Sequence, residues 1–301
     1  MSGETERGPS VLLATDDSPS ARVAEDWVIR LRWAQAPTVE VVCVAGGGIT
    51  RLGWGLQTYR EPVRLAVEGL RQSELYAAER IANEVGERLQ HAGLTVHTLA
   101  RQGDCSEEVR ILAEVERPDL VVVGPRGRSE VAAAILGSVT HSLIAAVAQP
   151  LLVARPPLAP AGRLPDHVLL VVDGTPSAKA PLAWLERSGW LDGGRLTLLG
   201  LLGDRAGLGP DEPPLTDELA RLVAAEATAV LEDLTRPLAE TGVLLNFVLR
   251  GGHPLRATRA AIDELGVDLV AVGATPYPGR DPLPQKIARY SPVSVLLVPA
   301  A

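Results

Sequence analysis

Cysteine and aromatic residues are both scarce in this sequence. Its 301 residues include two cysteines, Cys43 and Cys105, and aromatic side chains make up 3% of the chain. Two distant cysteines argue against a disulfide scaffold and a thiolate metal site, because both need several cysteines at suitable spacing. Few aromatic rings leave little surface for the stacking of bases. These absences already remove several common classes of binding protein.

Long apolar runs and an excess of basic charge are also missing. No run approaches the roughly 20 apolar residues that a membrane-spanning helix needs, and residues 1–10 lack the features of a targeting signal. The net charge of −8 disfavours nucleic acid, because a phosphate backbone attracts a concentrated basic surface. We therefore expect a soluble, cytoplasmic protein that binds neither nucleic acid nor membrane.

The sequence does contain an internal repeat. Residues 11–21 read VLLATDDSPSA, and 157 positions later residues 168–178 read VLLVVDGTPSA. A second pair, PDLVVVG at 118–124 and VDLVAVG at 267–273, follows in the same order. A chain of this length accommodates two domains of roughly 150 residues. Two copies of one fold explain the repeat, and the stretch with four prolines at 154–166 is typical of a linker.

Each copy alternates short apolar, β-branched runs with longer helical patterns, which indicates βαβ units around a parallel sheet covered on both faces. The predicted fold class is therefore α/β, with two tandem Rossmann-like domains of five mostly parallel strands each. We expect a disordered start at 1–9, domains at 10–155 and 167–301, and a linker at 156–166. The predicted strands are 10–16, 38–45, 94–101, 119–124 and 149–154, then 167–173, 195–202, 244–250, 268–273 and 293–299.

Two helices and one loop of the first copy carry further signals. Helices are predicted at 72–91 and 104–117, with Asp104 capping the second and Glu107 reaching back to it. Cys105 would lie in the first turn of that helix, where a thiolate is favoured, and is a minor candidate for redox sensitivity. Five glycines between 46 and 55 predict a loop that could serve as a lid.

The strongest chemical signal begins where the fourth strand of the first copy ends. Gly124 and Gly127 are followed, after nine residues, by Gly137 and Ser138 at the predicted start of a helix. Glycines let a backbone approach an oxyanion, and a helix start offers free N–H groups. Ligands of open parallel sheets bind at the carboxyl ends of strands where the strand order reverses, and Asp16 and Gly124 both lie at such ends. One crevice is expected to contain all of these residues.

This constellation resembles the nucleotide motif of the universal stress protein family, in its ATP-binding branch. The resemblance covers essentially the whole chain, as a tandem of two adenine-nucleotide α-hydrolase-like domains. It implies ATP as the ligand, with Mg²⁺ arriving on the nucleotide, and a role in stress response or signalling. AMP and ADP remain open as competitors, and any hydrolysis should be slow, because no Walker-type loop or arginine finger is present.

The resemblance also implies roles for individual residues. Ala14, Thr15 and Asp16 would contact the adenosine, and Val44, Val123 and Gly124 would line the adenine slot. Gly127 and Arg128 would approach the ribose or the phosphates. The phosphates themselves would lie against Gly137, Ser138, Val139 and Thr140. This sequence departs from the family at Asp17, where glycine is frequent.

The second copy retains only part of the motif. It retains the aspartate at 173 and Gly273. Alignment on the last strand places Asp281–Pro282 or Pro282–Leu283 where the first copy has Gly137 and Ser138, after a shorter loop. Proline has no N–H to donate, and aspartate repels phosphate. We expect adenine nucleotide in the first copy only.

Other functions remain open at this point. An adenylating enzyme of related architecture would need a Ser-Gly-Gly-x-Asp-Ser loop after its first strand, and residues 16–20 do not form one. A structural interaction module with an empty site is the other alternative. No catalytic residue or metal ligand is assigned. The resemblance further implies that strands 151–154 and 295–298 pair across a dimer-like interface, within the chain as a pseudo-dimer or between two chains as a homodimer.

Overall fold

The computed structural model describes residues 8–46, 60–127, 136–146, 148–156, 165–172, 178–201, 242–274 and 283–300, with six single residues between 225 and 238. The chain forms two compact units. The first comprises Met1–Ile29 and Gln35–Ala154, and the second comprises Arg30–Ala34 and Arg155–Ala301. Residues 1–7, the glycine loop from 47 onward and residues 157–164 of the predicted linker lie outside the described residues.

The first unit is a five-stranded parallel sheet with helical connections. Its strands lie in the order β3-β2-β1-β4-β5, and every neighbouring pair is parallel. The elements in chain order are β1 (Ser10–Thr15), α1 (Pro19–Arg30), β2 (Thr38–Ala45), α2 (Glu61–His91), β3 (Thr95–Gln102), α3 (Cys105–Glu116), β4 (Leu120–Val123), α4 (Ser138–Ala146) and β5 (Leu151–Val153). The sequence-based prediction of an α/β domain with five strands is confirmed.

The second unit repeats this arrangement. Its strand order, β8-β7-β6-β9-β10, is again parallel throughout and matches the first unit strand for strand. Its elements are β6 (His167–Val172), α5 (Lys179–Ser188), β7 (Arg195–Leu201), β8 (Leu244–Arg250), α6 (Pro254–Leu265), β9 (Leu269–Ala274), α7 (Leu283–Tyr290) and β10 (Ser294–Pro299). The internal repeat of the sequence is therefore a repeat of one fold.

The central strands are buried on both faces, which explains why their sequences show no alternation of polar and apolar residues. Every residue of β4 and β6 is buried, as expected for strands that helices cover on both faces. Helices α1 and α5 each bury one apolar stripe that includes a tryptophan, Trp27 in the first unit and Trp184 in the second. The two tryptophans are separated by the same 157 positions as the repeated strands before them.

Helix α2 is longer than the predicted helix at 72–91, because it already begins at Glu61. Pro62 lies in its first turn, where a missing N–H costs nothing. Its buried residues begin only at Ala78. Apolar periodicity marks the part of a helix that packs on a core, so the exposed first half gave no signal and the prediction started too late.

The Asp104 cap is confirmed. Its carboxylate accepts the backbone N–H groups of Ser106 at 3.0 Å and of Glu107 at 3.2 Å. The Glu107 side chain accepts hydrogen bonds from Arg110. The cap therefore satisfies free N–H groups at the start of α3.

A second aspartate in each repeat links two strands by hydrogen bonds at the amino end of the sheet. Asp119, just before β4, accepts the backbone N–H of Ser10 at 2.8 Å. Asp268, just before β9, accepts the backbone N–H groups of Asp166 at 2.8 Å and His167 at 3.0 Å. The Asp-Leu-Val sequence common to both repeats thus joins two central strands at the edge opposite their carboxyl ends.

Within the described part of the chain, no helix has the length and apolar character needed to cross a membrane. The same residues contain no group of three or more histidine, cysteine, aspartate and glutamate side chains placed to hold a metal ion.

His167 is a buried histidine of the second unit. The side chain is 5% exposed, and its Nε2 lies 2.8 Å from the Thr197 hydroxyl on β7. Burial, assisted by the charge of Arg195, lowers the pKa of His167 below 6.5. The unfolded chain therefore takes up a proton at a higher pH than the folded chain does.

We predict that the free energy of unfolding falls as the pH drops from about 6.5 towards the lower pKa of the folded state, because protonation favours the unfolded chain. His167→Gln should flatten this decline. The exposed His141 provides the control, because His141→Gln should leave the pH dependence unchanged. Chemical denaturation between pH 7 and pH 5 measures the effect, and equal slopes in wild type and His167→Gln would contradict it.

Candidate nucleotide site

The candidate site lies where the strand order of the first unit reverses. From β1 the chain moves outward to β2 and β3, and then returns to place β4 and β5 on the other side. Asp16 follows β1 and Gly124 follows β4, and these strands pair directly, with Leu13 opposite Val122. Because both strands are parallel, the two loops leave the same edge of the sheet. This is the position at which doubly wound sheets bind ligands.

The turn after β1 is held by short-range hydrogen bonds. The Asp16 carboxylate accepts the backbone N–H of Ser18 at 3.0 Å, and the Thr15 hydroxyl accepts that of Asp17 at 3.3 Å. The Ser18 hydroxyl accepts the N–H of Ala21 at 3.2 Å and so caps α1. Asp17 has a φ of 57°, a conformation that suits glycine better than other residues. This explains why glycine is expected at the one position where the sequence departs from the motif.

The loop after β4 approaches this turn closely. A Cβ placed on Gly127 would lie 2.6 Å from Oδ2 of Asp16, so a larger residue would displace the carboxylate. A Cβ on Gly137 would lie 3.1 Å from the Cα of Arg126, and the Gly137 N–H donates to the Pro125 carbonyl at 2.8 Å. The structure therefore brings Asp16, Gly127 and Gly137 close together at this edge of the sheet, and a side chain on either glycine would crowd its neighbours.

Helix α4 begins beside these glycines. Ser138 is exposed and Val139 half-buried at its first turn, where the free N–H groups and the dipole of a helix favour an anion. Thr140 is buried, and its hydroxyl donates to the Gly124 carbonyl at 2.8 Å. Its side chain thus joins α4 to the end of β4.

The opposite wall of the crevice comes from β2. The pairing of Thr15 with Cys43 places Asp16 and Val44 one residue further along neighbouring strands. The Cys105 thiol donates to the Val44 carbonyl at 3.8 Å. Burial and the nearby charges of Asp104 and Asp16 raise the pKa of this thiol. The geometry therefore disfavours the thiolate that redox sensitivity would need.

The structure describes some of the remaining predicted residues and leaves others outside the described ranges. Ala14 is half-buried one residue before the end of β1, and Val123 is buried at the end of β4. Arg128 lies outside the described residues, as do the aspartate at 173 and residues 275–282 of the second copy.

Sequence reasoning missed two polar residues behind the site. Glu25 on α1 is 4% exposed and accepts hydrogen bonds from the Thr15 hydroxyl at 3.2 Å and from Nη2 of Arg88 at 2.9 Å. Burial raises the pKa of Glu25, although the Arg88 hydrogen bond acts in the opposite direction. A signal was present, because Glu25 occupies the same helical stripe as the buried Ala21 and Val28.

The described residues of the second unit differ from the first at the corresponding strand end. Strand β9 continues through Gly273 and Ala274, which pair with Val298 and Pro299 of β10, whereas β4 stops at Val123, before Gly124. When the last strands are aligned, Pro284 occupies the position of Thr140 and has no hydroxyl to offer. The backbone that forms a loop in the first unit is part of the sheet in the second.

A parallel sheet in the order 3-2-1-4-5, with glycines at the point where the order reverses, defines a Rossmann-like domain. The sequence profile of the universal stress protein family matches this chain twice, over residues 9–155 and 165–299. The chain therefore belongs to the universal stress protein family, as a tandem of two such domains.

Individual relatives agree with this assignment. Universal stress protein Rv1996 of Mycobacterium tuberculosis and Mb2019 of Mycobacterium bovis are each 29% identical over 183 residues, which is 56% of this chain. The chain spans about half the length of these relatives, 55% in each case. The crystal structure of a universal stress protein from Archaeoglobus fulgidus has the same fold, with a TM-score of 0.73 and 18% identity across 97% of this chain and 98% of that one.

We predict that Thr140→Val destabilises the first unit by about 1–3 kcal/mol, because the buried Gly124 carbonyl loses its hydrogen bond while the volume is kept. Ser142→Ala, at an exposed position of the same helix, should change stability by less than about 0.5 kcal/mol. Denaturant titration of both variants measures the difference. Equal stability of the two variants would show that the hydrogen bond does not support the loop.

Proposed function

We propose that the first unit binds ATP in the crevice between the carboxyl ends of β1 and β4, and that the second unit binds no nucleotide. The observation that carries this proposal is the close approach of Asp16, Gly127 and Gly137 beside the start of α4. An anion at this place would face backbone N–H groups and the positive end of a helix dipole. The glycines leave room that any side chain would fill.

Each wall of the crevice suits one part of the nucleotide. Asp16 accepts hydrogen bonds, so adenine or ribose donors would bind there. Val44 and Val123 offer apolar surface for the adenine ring, with Gly124 beneath it. The triphosphate would extend along Gly127 and Arg128 to the helix start at Gly137, Ser138 and Val139. Thr140 and Thr15 would act mainly by fixing the two loops, because their hydroxyls already bond to Gly124 and Glu25.

Mg²⁺ would enter bound to the phosphates, where it would neutralise their charge. The chain supplies a cradle for the phosphates and, among the described residues, no carboxylate cage that would hold the ion alone. We assign no catalytic base, so ATP would act by changing conformation or association, and its hydrolysis would be slow. The role that follows is a nucleotide-responsive protein of the cytoplasm in stress response or signalling.

Two features of the second unit support its assignment as a site without nucleotide. Strand β9 uses the backbone at Gly273 and Ala274 for pairing. Proline residues at 282 and 284 remove N–H groups from the start of the last helix.

We also propose domain boundaries at 10–155 and 167–301, and dimer-like pairing of the last strands, within one chain or between chains.

Counting the nucleotide that leaves the denatured protein tests the proposal. Purified protein is unfolded, and released adenine nucleotides are identified by chromatography and mass. We expect about one per chain after saturation with ATP, and none in Gly137→Asp, because the new carboxylate would fill the cradle and repel phosphate. Gly69→Asp is the matched control, because a Cβ at Gly69 contacts nothing within 4 Å.

The outcomes separate the competing functions. Two nucleotides per chain would overturn the assignment of the second unit. Absence of nucleotide would favour an interaction module, provided that ATP also fails to stabilise the fold. A ligand at 100 times its Kd should raise the free energy of unfolding by about 2.7 kcal/mol. Release of an adenylated organic acid would instead indicate the adenylating enzyme.

A further inference from the structure

Asp17 is held in a conformation that its side chain disfavours. Its φ of 57° lies in the left-handed region, where a Cβ comes too close to the following carbonyl oxygen. Aspartate tolerates this region better than most residues, but glycine has no penalty there. The backbone angles of Asp17 place the Ser18 N–H, which donates to Oδ1 of Asp16 at 3.0 Å and so orients that carboxylate. Contacts from outside the turn add to the short-range hydrogen bonds within it.

Two guanidinium groups contact the Asp17 carboxylate. Arg22, one turn into α1, reaches it with Nε at 3.3 Å and Nη2 at 3.4 Å, but its side chain is 62% exposed. Arg88 comes from α2, 71 residues away, and places Nη2 3.5 Å from Oδ1 of Asp17, with 42% of its side chain exposed. Ion pairs in water contribute little, so Arg22 alone is a weak restraint.

Arg88 is anchored more firmly than Arg22. The nitrogen Nη2 that approaches Asp17 also donates to Oε2 of Glu25 at 2.9 Å, and Nε donates to the same oxygen at 3.2 Å. Glu25 is buried, and its other oxygen accepts the Thr15 hydroxyl. A charged hydrogen bond to a buried carboxylate is stronger than one between exposed groups. Arg88 thus joins α2 to both ends of the Thr15–Asp17 turn.

The second copy provides an internal comparison. The offset of 157 positions that relates the two first strands also relates Trp27 to Trp184, so the alignment continues through the helix. Under it, Thr15 corresponds to Val172, Glu25 to Leu182 and Asp17 to the glycine at 174. Where glycine occupies the turn, both buried polar partners are replaced by apolar residues. At these two positions, the polar side chains belong to the copy that has aspartate in the turn.

We propose that Arg88 is a positioning residue of the nucleotide site, which holds Asp17 in its left-handed conformation and thereby fixes the Asp16 carboxylate against Gly127. This inference rests on the proposed function of the first unit. Arg88 need not touch the nucleotide. Its effect passes through the backbone of the turn, and a glycine at position 17 makes it dispensable.

A double-mutant cycle on the full chain separates this role from a general effect on stability. The Kd for ATP is measured for wild type, Arg88→Met, Asp17→Gly and the double variant. We expect Arg88→Met to weaken binding about tenfold in the wild-type background, and by less than about twofold in the Asp17→Gly background. Arg80→Met is the control on the same helix, because Arg80 is 68% exposed and pairs only with Glu84 among the described residues. It should leave the Kd unchanged.

An equal loss of affinity in both backgrounds would overturn the proposal, as would no loss in either. If Arg88→Met does not fold because Glu25 is left buried without its partner, the cycle is repeated in chains that carry Glu25→Gln, whose uncharged amide oxygen still accepts a hydrogen bond from Arg88. Equal loss of affinity in both backgrounds, or no loss in either, would again overturn the proposal.

Amide hydrogen exchange tests the role of Arg88 independently of the proposed function, because the measurement needs no ligand. If wild type binds no ATP, the proposed function fails, and the exchange rates of the Asp17 and Ser18 amides decide on Arg88. Faster exchange in Arg88→Met, without further acceleration when Asp17→Gly is already present, supports the positioning role. Exchange that does not depend on Arg88, or depends on it equally in both backgrounds, contradicts it.

Discussion

The close approach of two loops at the carboxyl edge of the first sheet is the constraint on which the candidate site depends. The Asp16 carboxylate fills the space where a side chain on Gly127 would lie, and Gly137 meets the backbone of the same loop. A Cβ at either position would be crowded: at Gly127 it would displace the Asp16 carboxylate, and at Gly137 it would press on the backbone of Arg126. The crevice is therefore built by backbone proximity, and the side chains behind it act by keeping the two loops in register.

Those supporting side chains come from elements far apart in sequence. Thr140 on α4 holds the end of β4, and Arg88 on α2 holds the turn after β1 through Asp17 and the buried Glu25. The second copy keeps the strands and the tryptophan of the helix, but it has apolar side chains at the described positions that correspond to Thr15, Glu25 and Thr140. Divergence within one chain has preserved the fold, which depends on apolar burial, and has changed the groups that shape one edge of it.

Sequence reasoning predicted the fold well because each strand is a short apolar run and the whole pattern of strands and helices occurs twice. It also predicted that Asp16, Gly127 and Gly137 lie close together, because glycine spacing and strand-end aspartates are local signals. It placed the start of α2 too late, since exposed residues such as Leu65 and Tyr76 lack the periodicity of a packed face. It missed Arg88 because a contact across 71 residues leaves no mark in a local pattern. Glu25 was detectable as a charge within an apolar stripe, yet its partner was not.

The position of the nucleotide is the most direct test of the account. Crystals of the full chain grown with ATP should show the adenine between Asp16 and Val44, with the phosphates at Gly137 and the start of α4. The second unit in the same crystals should contain no nucleotide. Electron density for ATP at the end of β9, or nucleotide bound in the first unit away from Asp16 and Gly137, would contradict the account.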